Sequence, residues 1–93
     1  MAKYLLVHPI GHEFDAEAAA PAFKAIKASL TRDAYWINSW YSSELGIAYC
    51  MWDAVDKESI LEAFKKGSKI SGIELPMEGP YKLDVMFDAE DFR

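Results

Sequence analysis

The apolar residues of this chain fall into short runs with two different spacings. Four of these runs contain aromatic or β-branched residues and are bounded by Gly, Pro, Ser or Asp, which predicts strands. We number the strands β1 to β4, at residues 3–8, 35–42, 47–54 and 81–87. Because only a short segment with Gly46 separates β2 from β3, these two strands are expected to form a hairpin.

Two further segments have the spacing of amphipathic helices. We number these helices α1 and α2, at residues 15–30 and 57–66. Asp15 and Asp56 are the predicted N-caps, and Gly67 is placed to end α2. Pro21 lies inside the first segment, where a proline loses a hydrogen bond and clashes with the preceding turn. The first helix therefore either begins near Pro21 or is kinked there.

The order β-α-β-β-α-β is that of the ferredoxin-like split unit. It predicts an α+β fold with a four-stranded antiparallel sheet, two helices on one face, and β1 and β3 in the middle. The 93 residues suffice for a single ferredoxin-like domain, spanning 1–93, and leave no room for a second core.

Both faces of this predicted sheet are apolar. In β1, Tyr4 and Leu6 lie on one face while Leu5 and Val7 lie on the other, and β3 has the same character. Two helices cover only one face, and monomers rarely expose apolar patches larger than about 300–600 Å². We therefore expect a homodimer that packs through the second sheet face, a dimeric α+β barrel.

The tryptophans are interpreted either as ordinary core or as the wall of a cavity for a small molecule. Strict alternation along β2 places Trp36 and Trp40 on one face, and Ile37 and Tyr41 on the other. Ser39 and His8 are further polar anchors for such a ligand. The candidate ligand-binding residues are Trp36, Asn38, Trp40, Cys50 and Trp52.

Charge and cysteine content narrow the range of partners. The chain has 15 acidic and 10 basic residues, a net charge of −5, and no dense Lys/Arg cluster, which argues against nucleic acid and an anionic membrane surface. Cys50 is the only cysteine, so an intrachain disulfide and a C-x-x-C site are excluded. The longest apolar run is too short for a signal peptide or membrane span, and a cytoplasmic location is expected.

A cluster of potential metal ligands follows β1. His8, His12 and Glu13 combine imidazole and carboxylate groups, which suit a divalent transition metal such as zinc or nickel. The H-x-x-x-H spacing brings two ligands together only on a helix, and Pro9 and Gly11 make a helix improbable here. Two ordinary loop histidines remain the alternative interpretation.

The chain lacks the common catalytic motifs. There is no G-x-S-x-G, no H-E-x-x-H and no phosphate-binding glycine loop. Cys50 in the middle of β3 is expected to be an inert buried thiol, unless His8 on the neighbouring strand activates it. The hypothesis of a cofactor-free enzyme of the dimeric α+β-barrel type therefore rests on analogy of fold alone.

The segment from Trp36 to Ile60 resembles a small ferredoxin-like family of unknown function that includes a nickel-binding, nickel-responsive protein. The matching positions, in register without a gap, are Trp36, Ile37, Ser39, Trp40, Ser42, Glu44, Tyr49, Cys50, Met51, Trp52, Asp53, Ala54 and Glu58. The resemblance implies the ferredoxin-like fold for the whole chain. It also implies nickel or another divalent transition metal as the cofactor.

This chain departs from the family pattern at two positions. Asn38 stands where the family tends to have histidine, and Val55 stands where it has proline. Because an amide oxygen is a poorer nickel ligand than imidazole, His8 and His12 are the alternative nitrogen donors. Three functions stay open: a metal-binding homodimer, a small-molecule binding module and a cofactor-free enzyme.

Overall fold

The computed structural model describes residues 1–92 as one antiparallel sheet with two helices. The elements are β1 (Ala2–Pro9), α1 (Ala16–Ala28), β2 (Ala34–Ser42), β3 (Ile47–Ala54), α2 (Lys57–Ser71) and β4 (Glu78–Leu83), followed by a 3-10 turn (Ala89–Phe92). The strand order β2-β3-β1-β4 places β1 and β3 in the middle, and the α+β fold class is confirmed. Within residues 1–92, neither helix is both long enough and apolar enough to cross a membrane.

α1 begins upstream of its proline. The Asp15 carboxylate accepts hydrogen bonds from the backbone N–H groups of Glu17 and Ala18, which satisfies two of the donors that a helix start leaves unpaired. Pro21 lies inside the helix that follows. Of the two alternatives for α1, a start near Pro21 is therefore wrong.

α2 continues past its predicted end, because Gly67 has a different role from the one predicted. A Cβ atom at position 67 would lie 2.8 Å from Cγ1 of Ile26 and 3.1 Å from the Ile26 backbone nitrogen. Gly67 thus lets α1 and α2 approach closely. The helix ends instead at Gly72, whose φ of +73° is the left-handed conformation typical of a helix C-terminus.

β4 lies a few residues earlier than predicted. Leu83 pairs with Lys3 of β1, and β1 itself begins at Ala2, so later residues have no strand left to pair with. The predicted strand residues Asp84 to Phe87 therefore lie outside the sheet.

The side of the sheet that faces the helices forms the core. Residues paired between antiparallel strands lie on the same face. Tyr4 and Leu6 of β1 are buried there opposite Trp52 and Cys50 of β3. The prediction that β1 and β3 carry apolar residues on both faces is confirmed, since Leu5 and Val7 lie on the side away from the helices.

A β-bulge in β2 overturns one prediction about the tryptophans. The register shifts between Trp36 and Asn38, so that Trp36 pairs with Trp52 while Trp40 pairs with Tyr49. Such an extra residue reverses the alternation of the side chains that follow it. Trp36 therefore faces the helices and Trp40 faces away from them, and the prediction that they share a face is wrong.

The opposite side of the sheet, which we call the open face, is covered by neither helix. Its central row consists of Asn38, Met51, Leu5 and Tyr81, and the next row of Trp40, Tyr49, Val7 and Glu78. The third row holds the ion pair between Lys3 Nζ and the Asp53 carboxylate, 3.0 Å apart. Most of the open face is therefore apolar and aromatic.

Candidate functional site

The candidate site lies in the interior, between the sheet and the two helices. Two adjacent rows of the helix-facing side carry its polar atoms. One row contains His8, Ala48 and Tyr41, and the next contains Leu6, Cys50 and Ser39. His8 and Cys50 are thus diagonal neighbours on the two central strands, as the sequence allowed.

Cys50 is part of a chain of hydrogen bonds that crosses from β2 to β3. The indole Nε1–H of Trp36 donates to Oγ of Ser39, and that hydroxyl donates to Sγ of Cys50, each over 2.8 Å. Burial raises the pKa of the Cys50 thiol, and the hydrogen bond from Ser39 opposes this only in part. At neutral pH Cys50 is therefore a protonated thiol, which is a poor nucleophile.

His8 is a buried imidazole with one defined tautomer. Its Nδ1 lies 3.1 Å from the Pro76 carbonyl oxygen, which can only accept, so Nδ1 carries the proton. Nε2 then presents a lone pair, and it has no hydrogen-bond partner although His8 is only 2% exposed. Burial lowers the pKa of His8, and the hydrogen bond to Pro76 partly counters that effect.

Aromatic rings surround these polar groups. Phe64 of α2 lies between His8 and Trp52, with ring centroids 5.5 and 5.4 Å away respectively. Trp52 stacks on Trp36 at 6.4 Å, and Trp36 contacts Phe23 of α1 at 5.7 Å. The indole Nε1 of Trp52 is buried and has no hydrogen-bond partner. The polar groups of the interior thus lie in an aromatic environment.

The predicted ligand-binding residues divide between the two sides of the sheet. Trp36, Cys50 and Trp52 lie in the interior described above. Asn38 and Trp40 lie on the open face, where both are exposed. One protomer therefore does not line a single cavity with all three tryptophans.

The predicted metal ligands are also not brought together. His12 lies exposed in the loop after β1, with Nδ1 2.9 Å from the Ser43 carbonyl oxygen, and Glu13 is exposed beside it. His8 faces the interior. Across residues 1–92, no three His, Cys, Asp or Glu side chains group in a way that could hold a metal ion.

The buried state of His8 predicts a specific pH dependence of stability. In the unfolded chain an ordinary histidine titrates near pH 6.5, whereas burial keeps His8 neutral to lower pH in the folded protein. The unfolded state therefore binds the proton more readily, and the free energy of unfolding falls as the pH drops below about 6.5. The slope due to His8 is at most that of one proton, about 1.4 kcal/mol per pH unit.

Urea unfolding at a series of pH values between 5 and 7 measures this slope. We expect His8→Gln to flatten it, whatever that variant does to stability at pH 7. An equal slope in wild type and His8→Gln would contradict the assignment.

Sequence reasoning missed two groups that shape the site. Phe64 belongs to the predicted apolar face of α2, but its position between His8 and Trp52 depends on how the helix docks. Pro76, which orients His8, lies 68 residues away in a connection without regular structure. Neither position carries a local signal for its role.

Comparison with known proteins supports the resemblance drawn from the sequence. A comparison with curated proteins finds no match. Among solved structures, the crystal structure of SCO4226 from Streptomyces coelicolor A3(2) is similar, with a TM-score of 0.73 and 14% sequence identity. The match covers 92% of this chain and 100% of that one, and at this identity it supports the fold.

The sequence model of one family matches most of the chain. That family is described as "Nickel responsive protein SCO4226-like", and the match spans residues 4–71. This range contains both helices, β1 from Tyr4 onward, β2 and β3, and the His8, Ser39 and Cys50 positions of the interior. The chain therefore belongs to the SCO4226-like family of nickel responsive proteins.

Proposed function

We propose that this protein is a homodimer, packed through its open face, that binds a divalent transition metal such as nickel. The observation that carries the metal proposal is the state of the exposed His12 imidazole. Its Nδ1 lies 2.9 Å from the Ser43 carbonyl oxygen, so its Nε2 is a lone-pair donor. Metal-binding histidines are commonly oriented by such a hydrogen bond at the other ring nitrogen.

The open face supports the homodimer. Leu5, Met51 and Tyr49 lie side by side there on the two central strands, and exposed Trp40 and Tyr81 extend the surface to both edges. A second copy presents the same apolar surface, so the two faces match in polarity about a two-fold axis. Packing two such sheets would remove these apolar side chains from water.

The donor types of one protomer fit nickel only in part. Imidazole and carboxylate groups suit this ion, but a centre of three protein ligands is not formed by residues 1–92 of one protomer. We assign the accessible donors His12 and Glu13 as the primary ligands, with water or a second protomer completing the shell. His8 is too buried to receive a hydrated ion without rearrangement of Phe64. When bound, the ion would supply a fixed positive charge at the loop.

Thermal unfolding of tag-free protein with and without Ni²⁺ tests the metal proposal. A ligand at a hundred times its Kd stabilises the folded state by about 2.7 kcal/mol, which raises Tm by roughly 10–20 °C in a chain of this size. We expect this rise in wild type and its loss in the double variant His12→Gln/Glu13→Gln. The matched control Glu62→Gln, on the outer side of α2, should keep it. No rise in wild type, or an undiminished rise in the double variant, would overturn the proposal.

A further inference from the structure

The chain ends in a segment that its own fold does not use. We call residues 84–92 the C-terminal arm. Its large apolar side chains, which are Val85, Met86, Phe87 and Phe92, are 70–77% exposed. The radius of gyration of the Cα atoms is 14.0 Å, more than the roughly 12 Å expected for a compact chain of this length. The arm thus leaves most of its apolar surface in water, although Val85 and Met86 line a cavity together with Lys3 and Met51.

The arm combines apolar and acidic side chains. The rings of Phe87 and Phe92 contact each other, with centroids 6.3 Å apart, and Asp88 caps the turn that brings them together by accepting from the Glu90 N–H. Asp91 lies in the same turn. The arm therefore presents a preformed pair of aromatic rings next to carboxylates.

A cleft that contains cationic side chains lies toward the far edge of the open face. Leu83, the residue before the arm, pairs with Lys3 of β1. In the same row Lys3 pairs with Asp53, and Asp53 pairs with Tyr35 of the edge strand β2. This row leads to a cleft of about 450 Å³ lined by Met1, Lys3, Thr31, Arg32, Tyr35 and Asp53.

The cleft offers groups that complement those of the arm. It has an exposed aromatic ring in Tyr35, and Lys27 Nζ is 5.7 Å from the centroid of that ring. Arg32 adds a second cation to the lining, whereas Lys3 is already paired with Asp53. β2 is also an edge strand of the sheet, so its outer backbone groups are available for pairing. No residue of the arm lines this cleft in its own protomer.

We infer that the C-terminal arm of one protomer docks in the basic cleft of a second copy of the chain. The rings of Phe87 and Phe92 pack on Tyr35, and the carboxylates of Asp88 and Asp91 meet the cations around it. The inference rests on the proposed homodimer and adds a second contact to it, outside the packed open faces. In a two-fold dimer each arm binds the cleft of the other copy. Both arms are then bound, and no arm is left free.

Disulfide trapping tests this arrangement. Tyr35→Cys and Phe92→Cys are combined in one chain, whose native Cys50 is buried at 3% exposure. The protein is mildly oxidised and run on a non-reducing gel. We expect a product of twice the 10.5 kDa chain mass, at least about fivefold more abundant than in either single variant. The matched control, Glu62→Cys with Phe92→Cys, places the first thiol on the exposed outer side of α2 and should stay unlinked.

Each other outcome has a defined meaning. A disulfide at the mass of one chain would show that the arm folds back on its own protomer, and equal linkage in the control would show random collision. Either result overturns the inference. An unlinked double variant that light scattering finds dimeric would remove the arm contact and leave the homodimer intact. A protein that is monomeric before oxidation would overturn the homodimer and the arm contact together.

Discussion

Replacing Met51 with glutamate is expected to convert the proposed dimer into a folded monomer. Met51 lies in the central row of the open face, between Asn38 of β2 and Leu5 of β1. In one protomer a carboxylate at this position still reaches water. Between two packed sheets it would be a buried charge without a partner, which costs several kcal/mol. A cost of about 3 kcal/mol raises the Kd of the dimer more than a hundredfold.

Light scattering over a range of concentrations, together with circular dichroism, measures both parts of this prediction. Leu61→Glu is the matched control, because Leu61 is an exposed leucine on α2, far from the proposed interface. We expect the control to keep the mass of the wild-type protein. A Met51→Glu protein that is folded and still dimeric would show that the open face is not the interface.

Truncating Trp52 to alanine is expected to cost about 3–5 kcal/mol of unfolding free energy, the usual range for a large aromatic residue in a core. Trp52 is 0% exposed and lies between the rings of Trp36 and Phe64. Its removal leaves a cavity beneath both helices. Since small domains have about 5–15 kcal/mol of stability in total, this variant is expected to be partly unfolded at 37 °C.

Trp52→Phe keeps the prediction testable if the alanine variant does not fold. Phenylalanine retains most of the ring contacts and removes Nε1, a buried donor without a partner. Removing such a donor is not expected to cost a hydrogen bond, so the loss should be less than half that of Trp52→Ala. Urea unfolding curves for the three proteins give the comparison. Equal losses for both variants, or a loss below about 1 kcal/mol for alanine, would contradict this description of the core.

The pattern of apolar residues predicted the element order, the fold class and the two apolar sheet faces, because these depend on period and spacing alone. The predictions that were wrong concern local features that tertiary contacts determine. A glycine after an amphipathic segment indicates a helix end, yet Gly67 is needed for the approach of α2 to Ile26. The bulge after Trp36 has no local signal, and it separates Trp36 from Trp40.

The candidate site was predictable only as a set of residue types. His8 and Cys50 could be placed on neighbouring central strands, and the structure puts them in adjacent rows of one face. The hydrogen bonds that define their chemical states come from Ser39 and Pro76. Pro76 and His8 are far apart in the sequence, so no local pattern indicates the hydrogen bond between them. The proposed metal ligands His12 and Glu13 stay a prediction.

The mass of the untagged wild-type protein in solution tests the central claim most directly. Neither helix covers the largely apolar open face of one copy, and the apolar side chains of the arm are exposed. At micromolar concentration, light scattering should therefore give about twice the chain mass of 10.5 kDa. A mass of 10.5 kDa across the accessible concentration range would contradict the dimer and everything proposed at its interface.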